Sequence, residues 1–319
     1  MKISVILPIY NEEKNILILY EELRDVLAAL ELGKIIENFE IICVNDGSGD
    51  NSLEVLKSLA AKDKQVKVIN FRNNFGQTAA LSAGISAASG ELIIPMDADL
   101  QNDPKDIVRF IEKINEGNSM VSGWRKNRKD YLISRRIPSI IANWLIGLIT
   151  GVKIHDYGCT IKAYKKEVIQ GVHLYGEMHR FIAAYAAWRG GKVAEIIVNH
   201  RLRINGRTNY GISRTFRVLL DLIVVKFLFK YMDRPIHFFG GIGFFSLSAG
   251  IFFGLLAAFL RLFYSIHLIQ TPLPILSALL IMVGVQFIIM GVMAEMLTRI
   301  YYETQNKDPF VIKEKINFE

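Results

Sequence analysis

Two long runs without charged residues constrain the fold of this chain more than any other feature of its sequence. Residues 236–260 and 273–294 form runs of 25 and 22 residues without lysine, arginine, aspartate or glutamate. At about 1.5 Å of helical rise per residue, each run is long enough to cross the roughly 30 Å hydrocarbon core of a bilayer. We therefore predict transmembrane helices over about 236–262 and 273–298. The alternative is a helical hairpin buried in a large soluble core.

The residues around these runs predict an orientation. The link at 261–272 is short, so the helices should form a hairpin with both outer ends on one side of the membrane. Basic residues flank those ends and place them in the cytoplasm, although Arg261 lies on the far side. They are Lys226, Lys230, Arg234, Arg299, Lys307, Lys313 and Lys315. We expect a multi-pass protein of the inner (cytoplasmic) membrane, with its catalytic domain and both termini in the cytosol.

The composition fits a folded chain in which apolar residues are segregated. Of 319 residues, 51% are hydrophobic and 22% charged, and the formal net charge is +7. These values exclude a disordered or fibrous chain. Cys43 and Cys159 are too few for a disulfide framework, and neither lies in a zinc-binding pattern. The apolar N-terminal run is broken by Pro8 and is too short for a signal peptide.

Strand and helix patterns alternate over about the first 210 residues. In chain order they fall at 3–7, 12–30, 40–44, 52–61, 66–69, 77–88 and 91–95. This alternation predicts βαβ units and a mainly parallel sheet, in which ligands bind beyond the carboxyl ends of the strands. Polar loops follow four of those ends, at 8–12, 45–50, 72–77 and 97–103. We expect the four loops to converge on one site.

The remaining chain divides by charge pattern. Over 213–232, apolar residues alternate irregularly with charged ones, which is typical of an amphipathic helix at a membrane surface. We therefore expect a cytosolic domain at 1–210, an amphipathic helix at 211–235, a membrane hairpin at 236–299 and a polar cytosolic tail at 300–319.

Two carboxylate motifs carry chemistry. Asp97 and Asp99 follow a strand directly, and such paired oxygens suit Mg²⁺ or Mn²⁺, which complete their shells with substrate phosphates. The alternative is a solvated acidic turn that caps the helix from Pro104. Asp46 ends an apolar strand, where a carboxylate can accept hydrogen bonds from a base or ribose. Tyr10 offers a face for the base, and no Walker loop lysine is present.

Five motifs in order resemble glycosyltransferase family two. They are PIYNE at 8–12, NDGSGDNS at 45–52, RNNFGQTAAL at 72–81, DADLQNDP at 97–104 and DYGCTIKAY at 156–164. With the hairpin, the chain is more closely similar to bacterial polyisoprenyl-phosphate glycosyltransferases, relatives of dolichol-phosphate mannose synthase. The QxxRW motif of processive polysaccharide synthases is absent. The resemblance implies an α/β GT-A (Rossmann-like) domain with a mainly parallel sheet, followed by the interface helix and the two-helix hairpin.

The same resemblance implies a nucleotide-sugar donor held with Mg²⁺ or Mn²⁺. It assigns the nucleotide to Pro8, Tyr10, Glu12, Asp46 and Asp97. It assigns the metal and diphosphate to Asp97, Asp99 and Gln101, with Asp99 also catalytic.

Basic residues match the family positions that bind the acceptor phosphate. These are Arg125 and Arg135, together with Ser139, and a guanidinium fork suits a phosphate group. The alternatives are a generic basic membrane face or nucleic-acid binding. Nucleic-acid binding lacks interleaved aromatic residues, so no nucleic-acid partner is expected.

Two further catalytic candidates follow from the resemblance. The segment 200–210 resembles the family's RxxGxSKY loop, with Thr208 and Asn209 in place of serine and lysine. Arg203 is the candidate for neutralising the diphosphate, with Arg207 as a substitute. Asp156 should orient groups or stabilise charge, because a phosphate acceptor is already anionic and needs little help from a base. On sequence alone, Asp156 is equally a turn carboxylate.

Together these features predict inverting transfer of a hexose, glucose from UDP-glucose, to undecaprenyl phosphate or a similar polyprenyl phosphate. The product would supply lipid-linked sugar for surface glycan modification. Other donors remain alternatives: GDP-mannose, UDP-N-acetylglucosamine or a UDP-aminoarabinose derivative. So does a non-catalytic, membrane-anchored subunit that binds nucleotide sugar. Membrane lipid and a second copy of the chain are the expected partners.

Overall fold

A computed structural model of the chain describes residues 1–126, 143–144, 146–148, 150–169, 181–202, 235–304 and 312–318. The chain divides into two units. One comprises Met1–Leu222 with Asp308–Glu319, and the other comprises Ile223–Lys307. The amphipathic helix expected at 211–235 falls almost wholly on residues 203–234, which lie outside the described part of the chain.

The first unit is built on a mixed sheet to which the described residues contribute eight strands. They are β1 Lys2–Ile9, β2 Asn38–Asn45, β3 Val66–Phe71, β4 Leu92–Pro95, β5 Met120–Trp124, β6 Lys162–Lys165, β7 Val193–Ile197 and β8 Ile312–Ile316. Their order across the sheet is β7-β5-β6-β4-β1-β2-β3-β8. The β1, β2, β3 and β4 strands are parallel, as expected. The β6 and β8 strands run antiparallel to their neighbours, so the sheet is mixed.

Helices follow the strands and cover the sheet. They are α1 Ile16–Leu32, α2 Ser52–Lys62, α3 Gln77–Ala87, α4 Ile107–Asn115, α5 Lys166–Ile169 and α6 Ile182–Trp188, with a 3₁₀ turn at Pro104–Asp106. In α1, the buried residues Leu19, Leu23, Leu27 and Leu30 recur at helical spacing and form an apolar stripe. The β1 and β2 strands are almost continuously apolar and buried, as expected for strands covered on both faces.

One carboxylate is buried near the amino-terminal end of β2. Glu40 accepts hydrogen bonds from Ser4 Oγ at 2.5 Å and from the backbone N–H of Ser89 at 2.7 Å. Lys67 Nζ lies 2.9 Å from the same carboxylate. Burial alone would raise the pKa of Glu40, but these hydrogen bonds outweigh it and lower the pKa to about 2. Glu40 therefore joins three segments of the first unit while remaining charged.

The β8 strand comes from the segment expected to be a polar tail. It pairs antiparallel with the edge of β3. Asn317 Nδ2 donates to the carbonyls of Ala60 at 2.7 Å and Val66 at 2.8 Å. Lys57 and Glu314 form an ion pair at 3.4 Å. The chain thus returns to the first unit after the apolar helices.

The second unit contains the two apolar helices, α7 Pro235–Tyr264 and α8 Leu273–Thr304. Within them, 27 and 22 residues have mean hydropathies of 2.1 and 2.5, long and apolar enough to cross a membrane. Only 17% of the most apolar window of each is buried, which argues against the alternative of a hairpin buried in a soluble core.

The two apolar helices contact each other through small residues. A Cβ on Gly243 would lie 2.8 Å from the carbonyl oxygen of Gly284, and Ser277 Oγ donates to the carbonyl of Gly250 at 2.7 Å. Glycine therefore permits the close approach of the two backbones.

Candidate active site

The loops after β1 and β2 are tied to each other by hydrogen bonds. The backbone N–H of Asn11 donates to Ser48 Oγ at 3.0 Å, and Asn11 Oδ1 accepts the N–H of Gly49 at 2.8 Å. The N–H of Glu13 donates to Asp50 Oδ2 at 3.2 Å. The PIYNE and NDGSGD segments therefore form one reciprocally bonded rim, as the parallel sheet predicts.

Asp46 connects this rim to the loop after β3. Its two carboxylate oxygens accept the backbone N–H groups of Phe75 at 2.7 Å and Gly76 at 2.9 Å. Burial raises the pKa of Asp46, and the two hydrogen bonds offset this only in part. The structure thus gives Asp46 a role that the sequence did not indicate, namely holding the 72–77 loop. Its contact with a base or ribose stays a prediction.

Gly47 allows the 72–77 loop to approach this closely. Its φ is +65°, and a Cβ there would lie 2.5 Å from the carbonyl carbon of Asn73. Any other residue would be strained in this left-handed conformation and would collide with the neighbouring backbone.

The first aspartate of the DAD motif is held by two neutral side chains. Gln77 Nε2 donates to Asp97 Oδ1 at 2.7 Å, and Thr160 Oγ1 donates to Asp97 Oδ2 at 2.6 Å. Gln77 begins α3, whereas Thr160 lies in the DYGCT segment. Asp97 therefore connects the DAD loop with the segment that carries Asp156.

The second aspartate lies on a strained turn. Asp99 is 7% exposed, and its Oδ1 accepts the N–H of Gln101 at 3.1 Å. Between them, the buried residue Leu100 has a φ of +61°, a conformation that costs a branched side chain about 1–3 kcal/mol. Such strain clusters at functional sites, where the surrounding structure enforces it.

The segment after β7 packs against the DAD loop. Arg201 donates to Glu22 Oε2 of α1 at 2.7 Å and contacts Asp103 Oδ1 at 2.8 Å. Its backbone N–H donates to the carbonyl of Gln101 at 2.8 Å. The sequence did not indicate these contacts: Glu22 lies in no motif, and Arg201 lies in the 200–210 segment but before the first position of the RxxGxSKY pattern.

The DAD loop suits a divalent cation that also binds a diphosphate. In the described ranges, histidine, cysteine, aspartate and glutamate side chains form no cluster of three or more that could hold a metal. A metal at the DAD loop would therefore need ligands from outside this set of side chains. Mg²⁺ is commonly bound by one or two carboxylates and completes its octahedral shell with substrate phosphates and water. Asp97, Asp99 and Gln101 supply oxygen donors of that kind, so the chemistry of this set fits Mg²⁺ or Mn²⁺ together with a donor.

Arg125 and Asp156, expected in different roles, form an ion pair. Arg125 Nε donates to Asp156 Oδ2 at 2.7 Å and Nη2 donates to Oδ1 at 3.0 Å. Both side chains are largely buried, at 13% and 8% exposure. Burial lowers the pKa of the Arg125 guanidinium, but the charge of Asp156 outweighs this effect and raises it. Arg125 is therefore a permanently charged group held by a buried carboxylate.

Some of the predicted site residues lie at the rim, whereas others fall outside the described part of the chain. Pro8 and Glu12 lie with Asp46 at the rim, and Tyr10 is 43% exposed there, accessible to a planar ligand. Three predicted residues, Arg135, Ser139 and Arg203, lie outside the described residues. Their assignments stay predictions.

The sequence profile of Glycosyl transferase family 2 matches residues 4–172. The chain belongs to this family and is a glycosyltransferase; the α/β GT-A-type domain and the resemblance to polyprenyl-phosphate sugar transferases are confirmed.

Two curated relatives align along nearly the whole chain. The dodecaprenyl-phosphate galacturonate synthase of Rhizobium johnstonii is 39% identical over 98% of this chain and 93% of its own length. The undecaprenyl-phosphate 4-deoxy-4-formamido-L-arabinose transferase of Pseudomonas aeruginosa is 35% identical, over 98% and 89%. Among solved structures, glucosyl-3-phosphoglycerate synthase of Mycobacterium tuberculosis aligns with a TM-score of 0.49 and 17% identity, over 70% of this chain and 78% of that one.

Proposed function

We propose that the protein transfers a sugar from a nucleotide-sugar donor to a polyprenyl phosphate at a membrane surface. One observation carries this proposal: the 2.6 Å hydrogen bond from Thr160 to Asp97 joins the carboxylates expected for the donor to the segment of Asp156. Asp156 in turn holds Arg125, the cation expected for the acceptor. A lipid acceptor is also supported by the two apolar helices and by the names of the two relatives, which contain dodecaprenyl phosphate and undecaprenyl phosphate.

The reaction is a single displacement with inversion. An oxygen of the polyprenyl phosphate forms a bond to the anomeric carbon, while the bond from that carbon to the nucleoside diphosphate breaks and the diphosphate leaves with the electron pair. Asp97, Asp99 and Gln101 would hold Mg²⁺ or Mn²⁺, which supplies positive charge to the leaving group when bound. Arg203 would add further positive charge beside the leaving diphosphate.

The Arg125–Asp156 pair acts on the acceptor. Arg125 presents a guanidinium to the lipid phosphate, and Asp156 fixes the orientation of that guanidinium. The phosphate is anionic near neutral pH, so Asp156 has no obligatory proton to remove. Its main contribution is therefore positional and electrostatic.

The identity of the donor sugar is a separate part of the proposal. The sequence favoured glucose from UDP-glucose, whereas the relatives are named for galacturonate and 4-deoxy-4-formamido-arabinose. We therefore place these two sugars ahead of glucose in a donor panel. GDP-mannose and UDP-N-acetylglucosamine complete it.

The membrane arrangement is part of the proposal. The hairpin crosses the inner (cytoplasmic) membrane twice, and the catalytic domain and both termini lie in the cytosol. Basic residues around the hairpin support this orientation. The full chain acts as a homo-oligomer in contact with membrane lipid.

The decisive experiment is a transfer assay with the full chain in liposomes. Undecaprenyl phosphate is supplied with each radiolabelled nucleotide sugar of the panel, with and without EDTA. We expect EDTA-sensitive label in the lipid fraction for one donor. Absence of label with every donor would contradict the proposal, and nucleotide binding without turnover would favour the non-catalytic alternative.

A variant tests the metal assignment in the same assay. Asp99→Ala should abolish transfer while the protein still folds, because Asp99 is expected to act on the donor. Asp25→Ala, an exposed carboxylate on α1, is the matched control and should retain activity. Undiminished transfer by Asp99→Ala would exclude Asp99 as a metal ligand.

A further inference from the structure

A carboxylate outside every motif holds the backbone that carries Asp156. Glu195 lies on β7, and its Oε1 accepts the N–H groups of His155 at 2.7 Å and of Asp156 at 3.4 Å. Its Oε2 lies 2.7 Å from His155 Nδ1. The Glu195 side chain is 14% exposed. One carboxylate thus contacts two consecutive residues at three points.

The residues next to the ion pair form a second contact between the same two segments. Trp124 precedes Arg125, and His155 precedes Asp156. The Trp124 and His155 rings stack with their centroids 4.0 Å apart and an interplanar angle of 13°. Stacking and ion pairing are therefore adjacent contacts between the end of β5 and the 155–156 segment, and Glu195 binds that segment from the neighbouring strand.

The sheet fixes Glu195 in this position. The β5 and β7 strands are parallel neighbours, with Ser122 opposite Glu195 and Trp124 opposite Ile197. Glu195 is therefore carried by the rigid strand beside the one that leads into Arg125. A loop residue in its place would hold the segment less accurately.

We infer that Glu195 is a positioning residue for glycosyl transfer. It fixes the 155–156 backbone so that the Asp156 carboxylate accepts both hydrogen bonds from Arg125. This inference rests on the proposed function. Glu195 does not touch the reacting groups and acts through Asp156. A displacement of about 1 Å in such a group can lower a rate by about 10²-fold.

Steady-state kinetics of the full chain in liposomes test the inference. Glu195→Ala should lower kcat by about 10²-fold and leave the KM for the donor unchanged. Glu195→Gln keeps a carbonyl oxygen for the backbone N–H groups and should recover most of that loss. Glu116→Ala, an exposed carboxylate paired with Lys113 on α4, is the matched control and should match the wild type.

Hydrogen exchange gives a readout that does not depend on turnover. Glu195→Ala should speed amide exchange at residues 155–158 and leave residues 41–45 of β2 unchanged. Exchange equal to that of the wild type, or faster exchange with an unchanged kcat, would overturn the inference. Failure of the wild type to transfer any sugar would instead contradict the proposed function, and the exchange data would still decide whether Glu195 holds this segment.

Discussion

The guanidinium of Arg125 faces the carboxylate of Asp156 in a two-point ion pair, with N–O distances of 2.7 and 3.0 Å. The residue expected at the acceptor phosphate and the residue expected at the reacting centre are therefore one unit. In the proposed reaction, a lipid phosphate that reached Arg125 would meet a matched pair rather than an isolated cation. Such a pair holds its geometry before the ligand arrives, which lowers the cost of ordering the site.

Arg125→Lys should be a severe change. Lysine keeps the charge but cannot form the two parallel hydrogen bonds to Asp156, so the buried carboxylate loses one of them. We expect transfer to fall at least about tenfold and the free energy of unfolding to fall by about 1–3 kcal/mol. Initial rates and thermal melting measure the two effects. Arg24→Lys, at an exposed arginine of α1, should change neither, and an Arg125→Lys enzyme with wild-type rates would show that the fork is dispensable.

Gly47→Ala should weaken nucleotide binding. The added methyl group would collide with the Asn73 backbone at 2.5 Å and force an alanine into a left-handed φ of +65°. The 72–77 loop would then move away from Asp46, and we expect the affinity for UDP to fall about tenfold, which corresponds to about 1.4 kcal/mol. Gly49→Ala is a close control, because a Cβ there meets nothing within 4 Å. Equal UDP affinity of both variants in calorimetry would contradict the role of Gly47.

Thr160→Val should lower kcat/KM for the donor without unfolding the protein. Valine has the shape of threonine but cannot donate to Asp97, whose Oδ2 would lose a 2.6 Å hydrogen bond. We expect a loss of about 1.5–3 kcal/mol in transition-state stabilisation, measured as kcat/KM for the donor. Thr160→Ser restores the hydroxyl and should recover the rate. If the serine and valine variants behave alike, the hydroxyl has no such role.

Glu40 should make the free energy of unfolding depend on pH in the acid range. Its folded pKa of about 2 lies below the ordinary value of 4.5, so between these values the unfolded chain binds more protons than the folded one. The stabilisation is fully present above about pH 4.5 and is lost as the pH falls toward 2.

Glu40→Gln tests this stabilisation. The variant should melt at a lower temperature than the wild type at about pH 6, and the gap should narrow toward about pH 3 as wild-type Glu40 gains a proton. Glu21→Gln, at an exposed position of α1, should follow the wild type throughout. A gap independent of pH would show that the charge of Glu40 is not what stabilises the fold.

Local patterns predicted the first half of the domain well. The four predicted strands correspond to β1–β4, and the three predicted helices correspond to α1–α3, because each combines a clear apolar period with polar loops. The carboxylates at the strand ends were found for the same reason. A parallel sheet brings such residues to one edge whatever the details of packing.

Contacts between distant segments could not be predicted in this way. Arg125 and Asp156 were both identified, but their pairing depends on how the segments after β5 and before β6 meet. Glu195 and Thr160 are single polar residues with no local pattern to mark them. The β8 strand reads IKEKI, where charged residues protect an edge strand but also resemble a polar tail.

The position of β8 also has a consequence for biosynthesis. The outer edge of β3 is completed by residues 312–316, which a ribosome makes only after both apolar helices. Until then, the nascent domain exposes unpaired backbone groups along β3, a template for pairing with other chains. The edge of the sheet can therefore close only after both apolar helices have been made, and a nascent chain stalled before residue 312 would be prone to aggregation through that edge.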